Sequence, residues 1–195
     1  MSTQLFINAH IATGMPGSTA AETAAIQDIL VEDGKFISIA PHLKATLEAQ
    51  GKDMASVEVV DLGGKLVCPP FCDTHLHLDY VFTARKPGAV NESGTLFEGI
   101  QRWSETKADL TVDEIKERAK IGIAKEMRHG VQFIRSHADV TDPNLTSLKA
   151  LLELKEELKD TVTLQIVSFP QEGMYSYEGP HGESGADLVE EGLKM

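Results

Sequence analysis

The sequence has few cysteines, few basic residues and no long apolar segment. Two cysteines in 195 residues are too few for a framework of disulfide bonds, and they fit a reducing compartment. No apolar run approaches about 18 residues, the length of a membrane-spanning helix, and residues 1–15 lack the basic and apolar regions of a signal peptide. These absences predict a cytoplasmic protein without a membrane partner.

The scarcity of basic residues excludes a second class of partner. The chain carries 18 Lys and Arg against 30 Asp and Glu, a formal net charge of −12. A surface of this sign repels a phosphate backbone, so we expect no nucleic-acid partner. A small uncharged substrate in a walled pocket is compatible with it, and the hydrophobic content of 42% is that of an ordinary globular protein.

The most informative residues that are present are His75 and His77. They follow residues 59–70, which predict a β-ribbon that leads into a buried strand. Side chains two apart on a strand point the same way. Both imidazoles can therefore aim at one ion, and imidazole suits zinc and iron alike. The alternative is a pair of surface histidines in a loop.

The two cysteines lie just before this pair. Cys68 and Cys72 are expected to be buried thiols beside the first strand rather than a disulfide. The alternative, a Cys-x3-Cys metal site, lacks the second pair of cysteines that would complete it. The predicted metal ligands are therefore the histidines.

Four stretches of the chain resemble one group of enzymes. Residues 66–77, which include the histidine pair, resemble the first-strand signature of the amidohydrolase superfamily of metal-dependent hydrolases. Residues 91–100, 135–140 and the Phe-Pro-Gln-Glu-Gly run at 169–173 are similar to the cytosine deaminase branch of that superfamily. The resemblance extends from about residue 5 to the C-terminus.

The resemblance implies an α/β fold, the N-terminal portion of a (β/α)8 TIM-type barrel preceded by part of a small β-domain. The β-ribbon or partial sandwich would occupy residues 1–65, and the first three βα units of an incomplete barrel would occupy residues 66–195. A complete barrel takes ~250 residues, so we expect part of a longer enzyme that is inactive by itself. Its proton-shuttling residues would lie beyond Met195, and no catalytic residue is assigned within the chain. Its exposed barrel surface would favour oligomers or other association.

Local patterns predict individual elements. Asp33-Gly34 between two apolar runs predicts a hairpin. Thr111 and Glu114 form a capping box at the start of a helix that ends before Gly130.

Two more strands and a helix are predicted after that glycine. Residues 131–134 and 163–169 are apolar strands, and Asp142 before Pro143 predicts the N-cap of the helix between them. Parallel barrel strands have their active ends at the carboxyl edge. The candidate site residues all follow such ends.

The resemblance assigns roles to three residues. His75 and His77 would hold one divalent ion, Fe²⁺ or Zn²⁺, between which imidazole ligands do not choose. Gln171, after the third strand, would bind the edge of a pyrimidine ring, because a side-chain amide offers a donor beside an acceptor. The alternative for Gln171 is a loop glutamine that bonds its own backbone.

Four further residues are candidates for the pocket or for the surroundings of the metal. His137 and Asp139 could form a His–carboxylate pair that lines the pocket or braces the metal site. The plainer alternative is a buried polar pair that ties the second strand to its neighbours. Asp79 could orient a ligand histidine or cap a loop. Leu96 could form an apolar wall against a flat ring or pack in the core.

The predicted activity is metal-dependent hydrolytic deamination of a cyclic amidine or nucleobase, with cytosine, converted to uracil and ammonia, as the first candidate. Arg85 and Lys86, in the loop after the first barrel strand, could add charge at the mouth of the pocket and change the substrate. The alternatives are an amidohydrolase that acts on creatinine or an aminotriazine, and a non-catalytic binding or assembly fragment.

Overall fold

The computed structural model describes residues 2–11 and 25–195. They form two units, Met1–Pro69 and Pro70–Met195, so the boundary lies at 69/70 instead of the predicted 65/66. The reason is that Leu66–Val67 pairs with the first strand of the chain and so belongs to the first unit. Residues 12–24, which fall in the predicted first domain, lie outside the described residues.

The described residues of the first unit, 2–11 and 25–69, form a mixed sheet accompanied by a short α-helix. Its elements are β1 (Thr3–Ile11), β2 (Ile26–Glu32), β3 (Lys35–Ala40), α1 (Leu43–Ala49), β4 (Glu58–Asp61) and β5 (Leu66–Val67). The strands follow the order β3-β2-β1-β4, and β5 also pairs with β1. Leu5, Leu30, Leu43 and Val57 form a small buried core.

The turn between β2 and β3 shows why this sequence makes a hairpin. Asp33 and Gly34 both have positive φ, 47° and 75°, as the tight turns that match strand twist require. The two strands pair antiparallel, with Glu32 opposite Lys35. The predicted hairpin is confirmed.

The second unit alternates strands with helices. Its elements are β6 (Phe71–Leu76), α2 (Leu96–Lys107), α3 (Val112–Arg128), β7 (Val131–Asp139), α4 (Thr146–Glu157), β8 (Thr163–Phe169) and α5 (Gly185–Gly192). The strands are parallel in the order β6-β7-β8. β7 is longer than the predicted 131–134, because its pairing with β8 continues to Asp139. No helix in the ranges 2–11 and 25–195 is long and apolar enough to cross a membrane.

One face of this parallel sheet carries the core of the second unit. Ile134, Ala138 and Leu164 are buried there together with side chains of α3 and α4, such as Ile123 and Leu151. Strand side chains alternate between faces, so every second residue of β7 meets the helices. The helical layer therefore fixes which residues of each strand remain for the other face.

The other face of the sheet carries both apolar and polar side chains and is partly exposed. It carries Phe133, which is 44% exposed, and Arg135, whose Nε donates to Gln165 Oε1 at 2.7 Å on the neighbouring strand. His137 follows at the same alternation. The carboxyl end of this face is where the candidate residues meet.

The helix termini follow the local signals closely, with one exception. Thr111 and Glu114 form the predicted capping box of α3, and Gly130 beyond its end has a φ of 87°. Asp142 does not cap α4 as predicted, since Leu145 is the N-cap residue. The Asp142 carboxylate accepts from the backbone N of Asn144, at 3.0 Å, and of Thr146, also at 3.0 Å. It therefore stabilises a turn that delays the start of the helix.

The expectation that Cys68 and Cys72 are buried is wrong. Both are free thiols with exposed side chains. A strand is covered on both faces only where helices and a closed sheet surround it. In the described sheet β6 pairs with β7 alone, which leaves Cys72 uncovered.

Ile121 and Ile123, two of the three isoleucines of α3, allow a matched test of the core. Ile123 is 2% exposed and Ile121 is 47% exposed. Ile123→Ala should lower the free energy of unfolding by about 2–5 kcal/mol, since it opens a cavity in the core. Ile121→Ala should change it by less than about 0.5 kcal/mol. Urea unfolding followed by the fluorescence of Trp103, the single tryptophan, measures both, and equal effects would contradict this packing.

Candidate functional site

Three histidine rings come together at the carboxyl end of the parallel sheet. The centroid of the His75 ring lies 5.3 Å from that of His77 and 4.2 Å from that of His137. The His77 and His137 centroids are 5.6 Å apart. The cause is the strand register, which places Leu76 of β6 opposite Ser136 of β7. Their sequence neighbours therefore lie side by side.

Aromatic side chains hold two of these rings. The His77 ring stacks on Tyr80, with centroids 4.7 Å apart, and meets the edge of Phe169 at 5.5 Å. The His137 ring meets the same Phe169 edge-on at 5.6 Å. His77 and His137 are half-buried, whereas His75 is exposed.

The environment of the rings favours uncharged imidazole. Burial lowers the pKa of His77, and repulsion from His137 and His75 lowers it further. Burial also lowers the pKa of His137, and the neighbouring His75 adds to the effect. Neutral imidazole is the form whose lone pair binds a metal ion. The cluster is therefore suited to a cation.

The histidines fit part of a metal site. The Nδ1 atoms of His77 and His137 are buried and have no hydrogen-bond partner among the described residues. Burial of a polar atom without a hydrogen-bond partner costs free energy. A bound cation would take the place of that partner, because it takes the lone pair of the unprotonated ring nitrogen. Within residues 2–11 and 25–195, no group of three or more His, Cys, Asp and Glu side chains is arranged to hold an ion. Of the two predicted ligands, His77 has such an unpartnered nitrogen; together with His75 it would supply two of the three or four ligands that protein metal sites use.

Asp79 is fully buried next to this cluster. Its carboxylate accepts from the backbone N of Asp139 at 2.8 Å and of Tyr80 at 3.2 Å. Burial raises the pKa of Asp79 to about 7, and the nearby Asp139 contributes to the rise. These contacts tie the segment after β6 to β7. They agree more closely with the prediction that Asp79 caps a loop than with the prediction that it orients a ligand histidine.

Asp139 does not form the predicted pair with His137. Its Oδ2 accepts from Trp103 Nε1 at 2.7 Å and from Lys107 Nζ at 2.9 Å. The partners Trp103 and Lys107 were missed in the sequence, although one signal was present. Lys107 continues the helical stripe of Leu96, Ile100 and Trp103, and so had to face the same neighbour.

A cavity of about 350 Å³ opens beside the cluster. Gln171 lines it, as do the apolar side chains of Leu96, Ile100 and Trp103. Leu96 is 73% exposed, so it borders the cavity instead of packing in the core. Tyr80 is part of the same wall. The predicted ring-binding residue and the predicted apolar wall therefore face one space.

The rim of this cavity is a tightly bonded loop. Asn91 Oδ1 accepts from the backbone N of Gly94 at 2.8 Å, and Asn91 Nδ2 donates to the carbonyl oxygen of Thr95 at 2.8 Å. Glu98 accepts from the backbone N of Ser93 at 2.7 Å. Hydrogen bonds from Ser93 and the preceding backbone lower the pKa of Glu98 to about 2. Hydrogen bonds within residues 91–98 thus fix the rim.

The two basic residues after β6 do not line this cavity. Lys86 Nζ bonds Glu114 at 3.1 Å, and the Arg85 guanidinium lies 4.6 Å from the centroid of the Phe82 ring. Both are engaged within their own segment or with α3. The expectation that they add charge at the mouth is not matched by these contacts.

The chain is similar to several known proteins. The sequence pattern of the amidohydrolase family matches residues 58–191. The N-isopropylammelide isopropyl amidohydrolase of Pseudomonas sp. (strain ADP) is 30% identical over 80% of this chain and 37% of its own length. The pterin deaminase of Rhizobium rhizogenes is 28% identical over 75% of this chain and 32% of its own length.

Solved structures show the same relationship. A 5-methylcytosine deaminase from Klebsiella pneumoniae, liganded with 5-fluorocytosine, superposes with a TM-score of 0.78 and 38% identity over 98% of this chain and 41% of that one. An N-isopropylammelide isopropylaminohydrolase from Burkholderia multivorans has a TM-score of 0.72 at 22% identity over 100% of this chain and 43% of that one. The second likeness shows the fold alone.

This chain spans about a third to two fifths of the length of these proteins. The predicted fold, the opening strand–helix units of a (β/α)8 hydrolase barrel preceded by part of a β-domain, is confirmed. The resemblance to the cytosine deaminase branch is confirmed as well. Because the family pattern covers well over half of the residues, from the fourth strand to the last helix, the chain belongs to the amidohydrolase family.

Proposed function

We propose that these residues are part of a metal-dependent hydrolytic deaminase that acts on a cyclic amidine, with an aminopyrimidine such as cytosine as the first candidate. One observation carries the proposal. Tyr80 stacks on His77 and also lines the cavity that contains Gln171. The candidate metal ligands and the candidate ring-binding residue thus share one wall. The 38% identity to a 5-methylcytosine deaminase supports the same substrate class.

His75 and His77 would hold a single Fe²⁺ or Zn²⁺ ion. When bound, such an ion lowers the pKa of a coordinated water to about 7 and so supplies hydroxide near neutral pH. Partial burial lowers the pKa of His77 and so favours its uncharged form, and the stacked Tyr80 ring orients it. Deamination then replaces the exocyclic amine of the amidine carbon by oxygen, and ammonia leaves. We assign no proton-transferring residue within this chain.

Gln171 would set the orientation of the ring. Its amide can accept from a ring N–H and donate to an adjacent carbonyl, the pair of groups that cytosine and related rings present. Trp103, Leu96 and Ile100 would cover the flat face and exclude water. A volume of about 350 Å³ lies within the range of small-molecule sites.

A second candidate substrate is a ring of the aminotriazine type. The relative named for N-isopropylammelide, at 30% identity over 80% of this chain, favours it. Both substrate classes present an amine on an amidine carbon, so the two share the proposed chemistry. Ammonia or alkylamine release from each ring, measured side by side, distinguishes them. Three further expectations stay predictions. They are creatinine as a substrate, association through the exposed barrel surface, and a cytoplasmic location.

The metal assignment predicts a loss of metal binding in the histidine variants. Changes beside a metal ligand weaken binding by ~10–100-fold, so removal of a ligand in His75→Ala or His77→Ala should weaken it at least as much. Equilibrium dialysis against Zn²⁺, followed by elemental analysis, measures this in the present chain. His181→Ala, an exposed histidine in another segment, is the control and should bind as the wild type does. Equal metal content in all four proteins would show that the pair is not a metal site.

The ring-binding assignment predicts a different result for Gln171→Leu. The change removes two hydrogen bonds and leaves polar ring atoms facing an apolar side chain, at a cost of ~1–3 kcal/mol. We expect kcat/KM in the whole enzyme to fall by about one to two orders of magnitude, with metal content unchanged. Gln132→Leu, at an exposed position of β7, should leave both quantities unchanged. Full activity of Gln171→Leu on every cyclic amidine tried would refute the role.

A further inference from the structure

We infer that Lys107 is a positioning residue, which holds the loop that carries Gln171 in place for ring binding. The inference rests on the proposed function of Gln171. Lys107 ends α2, and its side chain is 11% exposed. Its ammonium group donates to Asp139 Oδ2 at 2.9 Å, to Thr141 Oγ1 at 2.8 Å and to Glu172 Oε1. All three of its N–H donors are used.

The first anchor of the loop is Asp139. This carboxylate is 1% exposed, and a buried charge is stable only with partners. Its Oδ2 accepts from Lys107, while its Oδ1 accepts from Thr141 Oγ1 at 2.6 Å and, at a longer 3.4 Å, from the backbone N of Gln171. The backbone N–H of Gln171 and the ammonium group of Lys107 thus bind the two oxygens of the same carboxylate.

The second anchor is Glu172. Its Oε1 accepts from Lys107 and from Ser104 Oγ at 3.1 Å, both of which belong to α2. Its side chain is 26% exposed, so this contact is less buried than the one at Asp139. Gln171, the proposed ring-binding residue, therefore lies between two acceptors of the Lys107 ammonium group. Its backbone N contacts Asp139, and the next residue in the chain is Glu172.

The loop backbone explains why such anchors are needed. Gln171 N donates to Phe169 O at 3.1 Å, and Gly173 N donates to Pro170 O at 2.9 Å, so the chain reverses sharply within these residues. Gly173 has a φ of 106°, and a Cβ there would lie 2.1 Å from Ser176 Oγ. A tight turn with few internal bonds depends on external contacts to stay in one conformation. Lys107 supplies two of them through its carboxylate partners.

The test uses the chain itself and four variants. Lys107→Met keeps the apolar stem and removes the charge. Glu172→Leu removes the second anchor at a partly exposed position, and Glu172→Gln keeps an acceptor oxygen as the conservative variant. Lys116→Met is the control, because Lys116, at 14% exposed, is nearly as buried as Lys107 and pairs with two glutamates away from the loop, one of them Glu153 at 2.9 Å.

Two quantities are measured, the hydrogen-exchange rate of the Gln171 amide and the affinity for 5-fluorocytosine from its fluorine NMR signal. We expect exchange at Gln171 to become at least tenfold faster in Lys107→Met and Glu172→Leu, with affinity about tenfold weaker. Glu172→Gln should keep the exchange rate and the affinity close to those of the wild type, and Lys116→Met should leave both unchanged. If Lys107→Met does not fold, the comparison of Glu172→Leu with Glu172→Gln tests the inference.

Two outcomes overturn the inference. In the first, exchange at Gln171 is unchanged in Glu172→Leu. In the second, exchange is faster while 5-fluorocytosine binds as before, which would mean that the contacts serve stability alone. If the wild-type chain binds neither 5-fluorocytosine nor cytosine, the assignment of Gln171 to an aminopyrimidine fails instead. The exchange rates then still show whether Lys107 holds the loop.

Discussion

The parallel pairing of β6, β7 and β8 is the constraint on which the candidate site depends. It sets Leu76 opposite Ser136 and Asp139 opposite Phe169, so three chain segments that are distant in sequence end at one edge. Parallel strands need long crossover connections, and here helices supply them. Those helices bury one face of the sheet. The side chains of the other face are thereby left for the site.

Buried carboxylates connect this edge to the helical layer. Asp79 and Asp139 lie next to each other, and the first accepts from the backbone N of the second. Two neighbouring acids in a buried place repel each other when both are charged, which is one reason why the pKa of Asp79 rises to about 7. Lys107 compensates the charge of Asp139. The same cation that stabilises the interior thus reaches the loop of the substrate-binding candidate.

Aromatic side chains connect the metal-ligand candidates to the cavity. Tyr80 contacts His77 on one side and Trp103 on the other, with ring centroids 4.7 and 4.9 Å apart. Trp103 in turn donates to Asp139. Tyr80 thus contacts both the apolar wall of the cavity and the imidazole of His77. A substitution in the wall is therefore expected to shift the position of the imidazole ring. The fold of the described residues is shared with a 5-methylcytosine deaminase and with an N-isopropylammelide isopropylaminohydrolase.

Features that depend on neighbouring residues could be predicted from the sequence. The hairpin at Asp33-Gly34 and the capping box at Thr111 are examples, and the family resemblance placed His75, His77 and Gln171 at strand ends. Contacts between distant segments could not be predicted. Examples are the partners of Asp139 and the exposure of Cys72. The physical reason is that turns and caps are decided within a few residues, whereas burial and side-chain partners are decided by the segment that packs opposite, which only the tertiary structure specifies.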